Sequence, residues 1–409
     1  MDAPSAAAAA EPSPQPHSGR TLTDAEKLQL YRQGFVIVRN AVPESVIARA
    51  HDRIQGELEL RRQAAEDKGA DKESSLKAGF GENPKFAKGK SIVPTAELSP
   101  RARRSPSVWR HPPGSQVGLA AAPELLDLIK DSSLTPILTE LLGHANRHTE
   151  EGGLQPAIRP VQDKMPGQDA PPAGELAPVT SFAGGLHVDG RRPNANEDGF
   201  LFVDAAETMA IRPFQCIAFV ACSDQTQPGQ GQTHVLPGAH LAMEEFFRWQ
   251  QENFGRLGSK ELEDGSPAPG WGGPQGQGIP TAVKETILAL GDEANTVVED
   301  GERKLRPVPV LLRPGDACIA AFHLPHTATL NQTGPEREQV ILRFGLEGSG
   351  NGLNLEDAEV ESWRQQLQHQ WTGFPGLADI VEREETQSAK VRGLREALRR
   401  RLEEYELDN

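Results

Sequence analysis

The 409-residue chain carries 43 basic against 58 acidic side chains, a net charge of −15, which excludes a generic nucleic-acid binder because phosphate backbones are held by excess lysine and arginine. Its length suits one large domain with insertions, and a hydrophobic share of 37% beside 40 glycines and 33 prolines predicts a true core diluted by loops. The three cysteines, Cys216, Cys222 and Cys318, form no CxxC pair and give no disulfide framework, so they read as small apolar strand residues in a reducing compartment.

Residues 1–20 are rich in Ala, Pro and Ser. They lack the basic start and apolar core of a secretory signal and the arginines of a transit peptide, and they read as a disordered tail. No apolar run approaches membrane-spanning length, which leaves a soluble, cytoplasmic protein as the expectation. Thr23 and Glu26 have capping-box spacing at the start of a first helix, and Gly34 suits its end. FVIVRN (35–40) reads as a strand, and Pro43 opens a second helix with Ile47, Ala50, Ile54 and Leu58 on one face. Periodicity is lost over 66–118. Within 85–110, Lys85, Lys88, Lys90, Arg101, Arg103, Arg104 and Arg110 face only one acid, Glu97: a lid or wall for an anionic substrate or, more simply, a solvated loop. PELLDLIKDSSLTPILTELLG (123–143) returns to helical apolar spacing.

From about residue 180 strands replace helices. FQCIAFVACSD (214–224), QTHVLPGAH (232–240), two strands around the turn Arg313-Pro314-Gly315-Asp316, and EQVILRFGL (338–346) are short runs separated by Pro/Gly turns, the pattern of an all-β sandwich or barrel. Residues 241–305 interrupt the series with a helix-like start and a low-complexity stretch, and read as an insertion. Residues 351–409 form a C-terminal helical extension whose stripe of Leu394, Leu398, Leu402 and Tyr405 is expected to dock on the body.

LHVDG puts His187 and Asp189 one residue apart, on the same side of an extended segment. The strand after the Pro-Gly-Asp turn runs out at His323 or His326, either of which can supply a third ligand. Two imidazoles and one carboxylate on one side of a metal leave the other side open, the arrangement of non-haem Fe(II) oxygenases; a closed set of four would read as structural zinc. The open positions take O₂ and a bidentate oxo-acid, whose far carboxylate needs a guanidinium: Arg337 and Arg343, on one face of the last strand, both qualify. Thr233 and Gln215, on strands that would line a barrel, can hydrogen-bond the same acid, although packing accounts for either. His234 and His240 read as structural, and His144 and His148 as exposed loop residues.

These segments resemble the phytanoyl-CoA dioxygenase family of Fe(II)- and 2-oxoglutarate-dependent oxygenases. LTDAEKLQLYRQGFVIVRNAVPESVIARAHDRI is similar to that family's opening helix–strand–helix, LHVDG to its His-x-Asp, GQGQTHVLPGAH to its Gly-rich strand and turn, and RPGDACIAAFHLPHTATLNQTGPEREQVILRF to its closing segment. The resemblance covers about residues 21–62, 123–240 and 306–346. In the family's closing segment an Asn follows the metal histidine by five residues and an Arg by about eleven; from His326 these offsets land on Asn331 and Arg337, from His323 on Ala328 and Gly334. KMPG (164–167) resembles a Lys-Pro-Pro-Gly whose lysine contacts the oxo-acid, which implies that role for Lys164.

The resemblance therefore implies a mainly β fold with flanking helices around a double-stranded β-helix (jelly-roll, cupin-like) core over residues 21–350. It implies Fe(II) on His187, Asp189 and His326. It also implies 2-oxoglutarate on Arg337, with Lys164 and Asn331 as further contacts beside Thr233, and O₂ at the open position. The expected reaction is hydroxylation of a C–H bond of a small organic substrate, releasing succinate and CO₂. Halogenating relatives lack the carboxylate that Asp189 supplies. A catalytically inactive jelly-roll scaffold or binding protein, and a cupin-like metalloenzyme that does not use 2-oxoglutarate, are the competing readings.

Overall fold

The computed structural model describes residues 19–66, 122–143, 146–148, 154–159, 161, 175–179, 185–188, 190–191, 210–211, 215–252, 279–346 and 370–407. Residues 1–18 of the N-terminal tail, the basic segment 85–110, His144, Lys164, Asp189 and the side chain of Tyr405 therefore lie outside the described residues.

Helix α1 (Asp24–Gln33) starts from a complete capping box between Thr23 and Glu26 and ends at Gly34, whose φ of 81° is the left-handed conformation a glycine adopts without penalty. A side chain there would also collide with the His240 ring. Strand β1 (Phe35–Val38) and helix α2 (Glu44–Glu66) follow. The segment 123–143 is two helices, α3 (Pro123–Lys130) and α4 (Leu134–Leu142), where the sequence suggested one stretch of helical spacing. The break falls at Ser133, whose backbone N–H and hydroxyl both donate to the Ala41 carbonyl.

The strands are β2 (Asn146–His148), β3 (Gln155–Arg159), β4 (Gly190–Arg191), β5 (Ala210–Ile211), β6 (Cys216–Ala221) and β7 (Thr233–Val235), then helices α5 (Ala239–Glu252) and α6 (Thr281–Leu290). Next come β8 (Thr296–Glu299), β9 (Glu302–Leu305), β10 (Val308–Pro309), β11 (Ala317–Ala321), β12 (His326–Ala328) and β13 (Arg337–Leu346), and finally α7 (Ala378–Gln387) and α8 (Ala389–Leu407). A six-stranded antiparallel sheet has the order β1-β11-β6-β13-β2, with β3 also on β13; a three-stranded sheet has the order β10-β7-β12. His187 extends the smaller sheet by a bridge to His326.

The larger sheet is a wall between two cores, and alternation along its strands decides which side chain enters which. Cys216, Ala218, Val220, Ala317, Ile319, Val340, Leu342 and Phe344 face a core shared with α1 to α4. Ile217, Phe219, Ala221, Cys318 and Ala320 face a second core shared with β7, α5, α6 and α8. All three cysteines are free and buried, and burial raises each thiol's pKa.

Two expectations are corrected. His148 is a strand residue, opposite Phe344 in the larger sheet, and not part of a loop. The segment 241–305 contains ordered structure beyond its first helix: α6, and the hairpin β8–β9, turned by Asp300 and Gly301 at φ 55° and 79°. An Asp-Gly pair at positive φ suits the twist of a two-residue hairpin, so the signal was present in the sequence.

The three leucines of the C-terminal stripe dock as expected. Leu398 and Leu402 are fully buried in the second core, with Leu394 partly buried beside it. No described helix is long and apolar enough to cross a membrane.

Candidate metal and oxo-acid site

His187 and His326 meet at the edge of the smaller sheet. Each backbone N–H donates to the other's carbonyl, at 3.0 and 2.9 Å, and the ring centroids lie 4.6 Å apart. Residues paired across antiparallel strands share a face. The register His326–Val235 and Ala328–Thr233 therefore puts His187, His326, Val235 and Thr233 together on the face opposite to that of His234. Val235 belongs to the second core, so this is the face turned toward the larger sheet. Phe219, from the larger sheet, stands edge-on to His326 at 5.7 Å.

Both rings make the same local bond. Nδ1 of His187 lies 3.0 Å from the Gly185 carbonyl, and Nδ1 of His326 lies 2.9 Å from the Leu324 carbonyl. A carbonyl only accepts, so Nδ1 carries the proton in each ring and Nε2 is left with the lone pair. That is the tautomer of a metal-ligating histidine whose other nitrogen is fixed by a backbone carbonyl. His323 is elsewhere: fully buried after β11, it packs on Phe322, His240 and Trp371. Among the described residues no group of three His, Cys, Asp or Glu side chains is placed to hold a metal; Asp189 lies outside them.

On the larger sheet, β13 alternates Arg337, Gln339, Ile341 and Arg343 on the face toward the second core. Arg337 is 3% exposed. It donates from Nη1 to the Gly231 carbonyl at 2.8 Å and from Nη2 to the Ala157 carbonyl at 3.2 Å, while its buried Nε has no hydrogen-bond partner. Burial, with Arg159 beside it, lowers its pKa well below the usual guanidinium range. Arg343 donates instead to Gln155 Oε1 at 3.2 Å and is less buried.

Thr233 and Asn331 have partners of their own. The Thr233 hydroxyl donates to Gln339 Oε1 at 2.8 Å, tying the two sheets together. Asn331 braces the turn before β13: its Nδ2 donates to the carbonyls of Arg159 and Pro335 at 3.1 and 2.6 Å, and its Oδ1 accepts from Gly334 N–H at 3.3 Å. Asn331 thus positions the start of β13, and its amide is committed to backbone.

Sequence reasoning missed Gln339, Gln225, Gly231 and Arg159. Gln339 was within reach, because it follows Arg337 by one strand alternation and so shares its face; its Nε2 donates to Gln225 Oε1 at 3.3 Å. Gly231, at φ 73°, turns its carbonyl to Arg337 and leaves no room for a side chain against Asn331. Arg159 gave no signal, since only the strand register brings it to Arg337.

No family model matches the chain, and a comparison with curated proteins finds no match. Among solved structures it is similar to HygX from Streptomyces hygroscopicus with nickel and 2-oxoglutarate bound, at 14% identity, 80% of this chain, 88% of that chain and a TM-score of 0.36. It is similar to the non-heme alpha-ketoglutarate-dependent carbocyclase SnoK from nogalamycin biosynthesis at 13% identity, 81% of this chain, 87% of that chain and a TM-score of 0.40. For AviO1 from Streptomyces viridochromogenes Tue57 the figures are 14%, 78%, 93% and 0.34. Likenesses this distant say what the chain resembles and nothing about its own chemistry.

Proposed function

We propose that the two sheets form a double-stranded β-helix core carrying an Fe(II)- and 2-oxoglutarate-dependent oxygenase site, and that the enzyme hydroxylates a C–H bond of a small organic substrate. One observation carries this reading: the paired histidines, each with Nδ1 held by a carbonyl, share the space between the sheets with a buried arginine that has no acidic partner among the described residues. Nitrogen ligands in the right tautomer and an unanswered buried cation suit a metal with an anionic co-substrate.

His187 and His326 would hold the metal through Nε2, with Asp189, next but one to His187, as the carboxylate. Bound there, iron would use O₂ as the oxidant and 2-oxoglutarate as the two-electron co-reductant, one oxygen atom going to the C–H bond and the other to succinate, with CO₂ released. The chain's own residues do the rest. The Gly185 and Leu324 carbonyls fix the two imidazoles against rotation. Arg337 offers the distal carboxylate a guanidinium already oriented by two carbonyls, so little conformational freedom is lost on binding. Phe219 supplies an apolar wall beside the histidine pair. Lys164 remains a further contact to the oxo-acid in this proposal.

The test is the visible spectrum of the metal-free protein under nitrogen on adding Fe(II) and then 2-oxoglutarate. A charge-transfer band requiring both additions is expected, lost in His187→Ala and weakened in Arg337→Ala. A folded protein that gives no band and binds no 2-oxoglutarate by calorimetry would overturn the proposal.

A further inference from the structure

The inner face of the larger sheet holds more positive charge than the described residues around it answer. Strands β3 and β13 pair antiparallel with Arg159 directly opposite Arg337, Ala157 opposite Gln339 and Gln155 opposite Ile341. Ile158 points into the outer core, so alternation sends Arg159, Ala157 and Gln155 to the other face, the one that carries Arg337. The bond from Arg343 to Gln155 on that same face agrees with this placement.

Two guanidinium-bearing residues thus stand opposite each other at the sheet's end, where like charges repel. Neither forms an ion pair among the described residues. Arg337 is answered only by two neutral carbonyls and keeps a buried Nε without a partner. Arg159 keeps part of its surface open, yet burial lowers its pKa to about 10. Its carbonyl accepts from Asn331 Nδ2 at 3.1 Å. Two cations fixed face to face with no anion among the described residues destabilise that end of the sheet unless a ligand brings one.

We propose that Arg159 is the second cation of the oxo-acid subsite: with Arg337 it holds the distal carboxylate, and the pair selects 2-oxo dicarboxylates over 2-oxo monocarboxylates. This rests on the oxygenase reading above. Arg337 reaches the carboxylate from β13 and Arg159 from the neighbouring β3. A ligand that ends in a methyl group gains nothing from either charge and is bound the more weakly for that reason.

The experiment uses the full chain loaded with Mn(II) as a redox-inert probe metal. Calorimetry measures 2-oxoglutarate and pyruvate, which share the metal-chelating oxo-acid end and differ in the distal carboxylate. Arg159→Met is expected to weaken 2-oxoglutarate roughly ten- to a hundredfold and to leave pyruvate unchanged. The same substitution is expected to raise the melting temperature of the ligand-free protein by about 2 °C, because the like-charge contact is gone. A merely structural arginine would lower it. Arg159→Lys keeps the charge; it is expected to melt with the wild type and retain part of the discrimination, and it carries the test if Arg159→Met does not fold. If wild-type protein binds neither acid, the oxygenase reading itself fails. If Arg337→Met loses 2-oxoglutarate while neither Arg159 variant changes the ratio between the two acids, Arg159 has no part in the subsite and the proposal is overturned.

Discussion

His323 shows how far one side chain can set the pH response of a fold. Its ring lies 4.7 Å from Phe322, 5.5 Å from His240 and 5.8 Å from Trp371, and both its nitrogens are buried without a partner. His240 donates from Nε2 to the Tyr31 carbonyl at 2.7 Å. Burial holds both rings neutral. It lowers His240 to about 3, aided by Arg395, and His323 well below its ordinary value, aided by His240 and Arg248. Unfolding returns each ring to about 6.5, so the unfolded chain binds more protons throughout the interval between the two values. Their contribution to stability is complete above that unfolded value and is lost as the pH falls toward the folded ones, at about 1.4 kcal/mol per pH unit for each ring. His323→Leu should therefore remove one proton from the slope of urea-unfolding free energy against pH between about 6.5 and 5. It should cost nothing at neutral pH, because two unsatisfied polar atoms leave the core with the ring. An unaltered slope would place the acid sensitivity in another group.

At the scale of elements, α8 is held by a charged seam as well as by its leucines. Glu244 of α5 is 0% exposed and is answered by Arg248 at 2.8 Å and by Arg395 of α8 at 3.0 Å; Arg395 also reaches Glu385 of α7 at 3.1 Å. Burial raises the Glu244 pKa against the pull of both arginines. Removing one partner leaves a buried charge half answered, so Arg395→Ala should cost about 3 kcal/mol in urea unfolding. Adding Glu244→Gln should restore part of that loss; a double variant no better than the single would refute the account. The leucine stripe of α8 was legible because Leu394, Leu398 and Leu402 recur at helical spacing. Its acidic partners were not, since nothing in a helix's own sequence says which face of which neighbour it meets. Strands divide in the same way. β6, β11 and β13 are fully or largely buried runs next to turn residues and could be read directly. The residues of β7 and β12 were read as a short strand and as the end of one, three residues each; their mutual register, and the bridge from His187, are long-range facts. β3 is QPAIR, with a proline at its second position and another just after it, so its local sequence argued against a strand.

At the scale of the molecule, the larger sheet separates two jobs that share one backbone. Its outer face fills a core with the N-terminal helices, and its inner face carries the arginines and looks toward the histidine pair. Neighbouring residues of a single strand therefore answer to different requirements, and substitutions on opposite faces should separate stability from ligand binding. Leu342 is 1% exposed and enters the outer core between Ile341 and Arg343, which face inward. Leu342→Ala should cost about 2–5 kcal/mol of unfolding free energy and leave the affinity for ferrous iron unchanged at a temperature where the variant is folded. Phe219 lies on the other face, edge-on to His326 at 5.7 Å. Phe219→Leu keeps an apolar side chain in the inner core, so its cost in stability should be the smaller of the two. It removes the ring that confines the His326 imidazole, so it should weaken iron binding more than Leu342→Ala does. Isothermal titration with Fe(II) under nitrogen, set beside urea unfolding of the same two variants, reads both quantities. Proportional losses of stability and affinity in both variants would mean that the sheet transmits strain from one core to the other; opposite orderings are what a rigid shared wall requires.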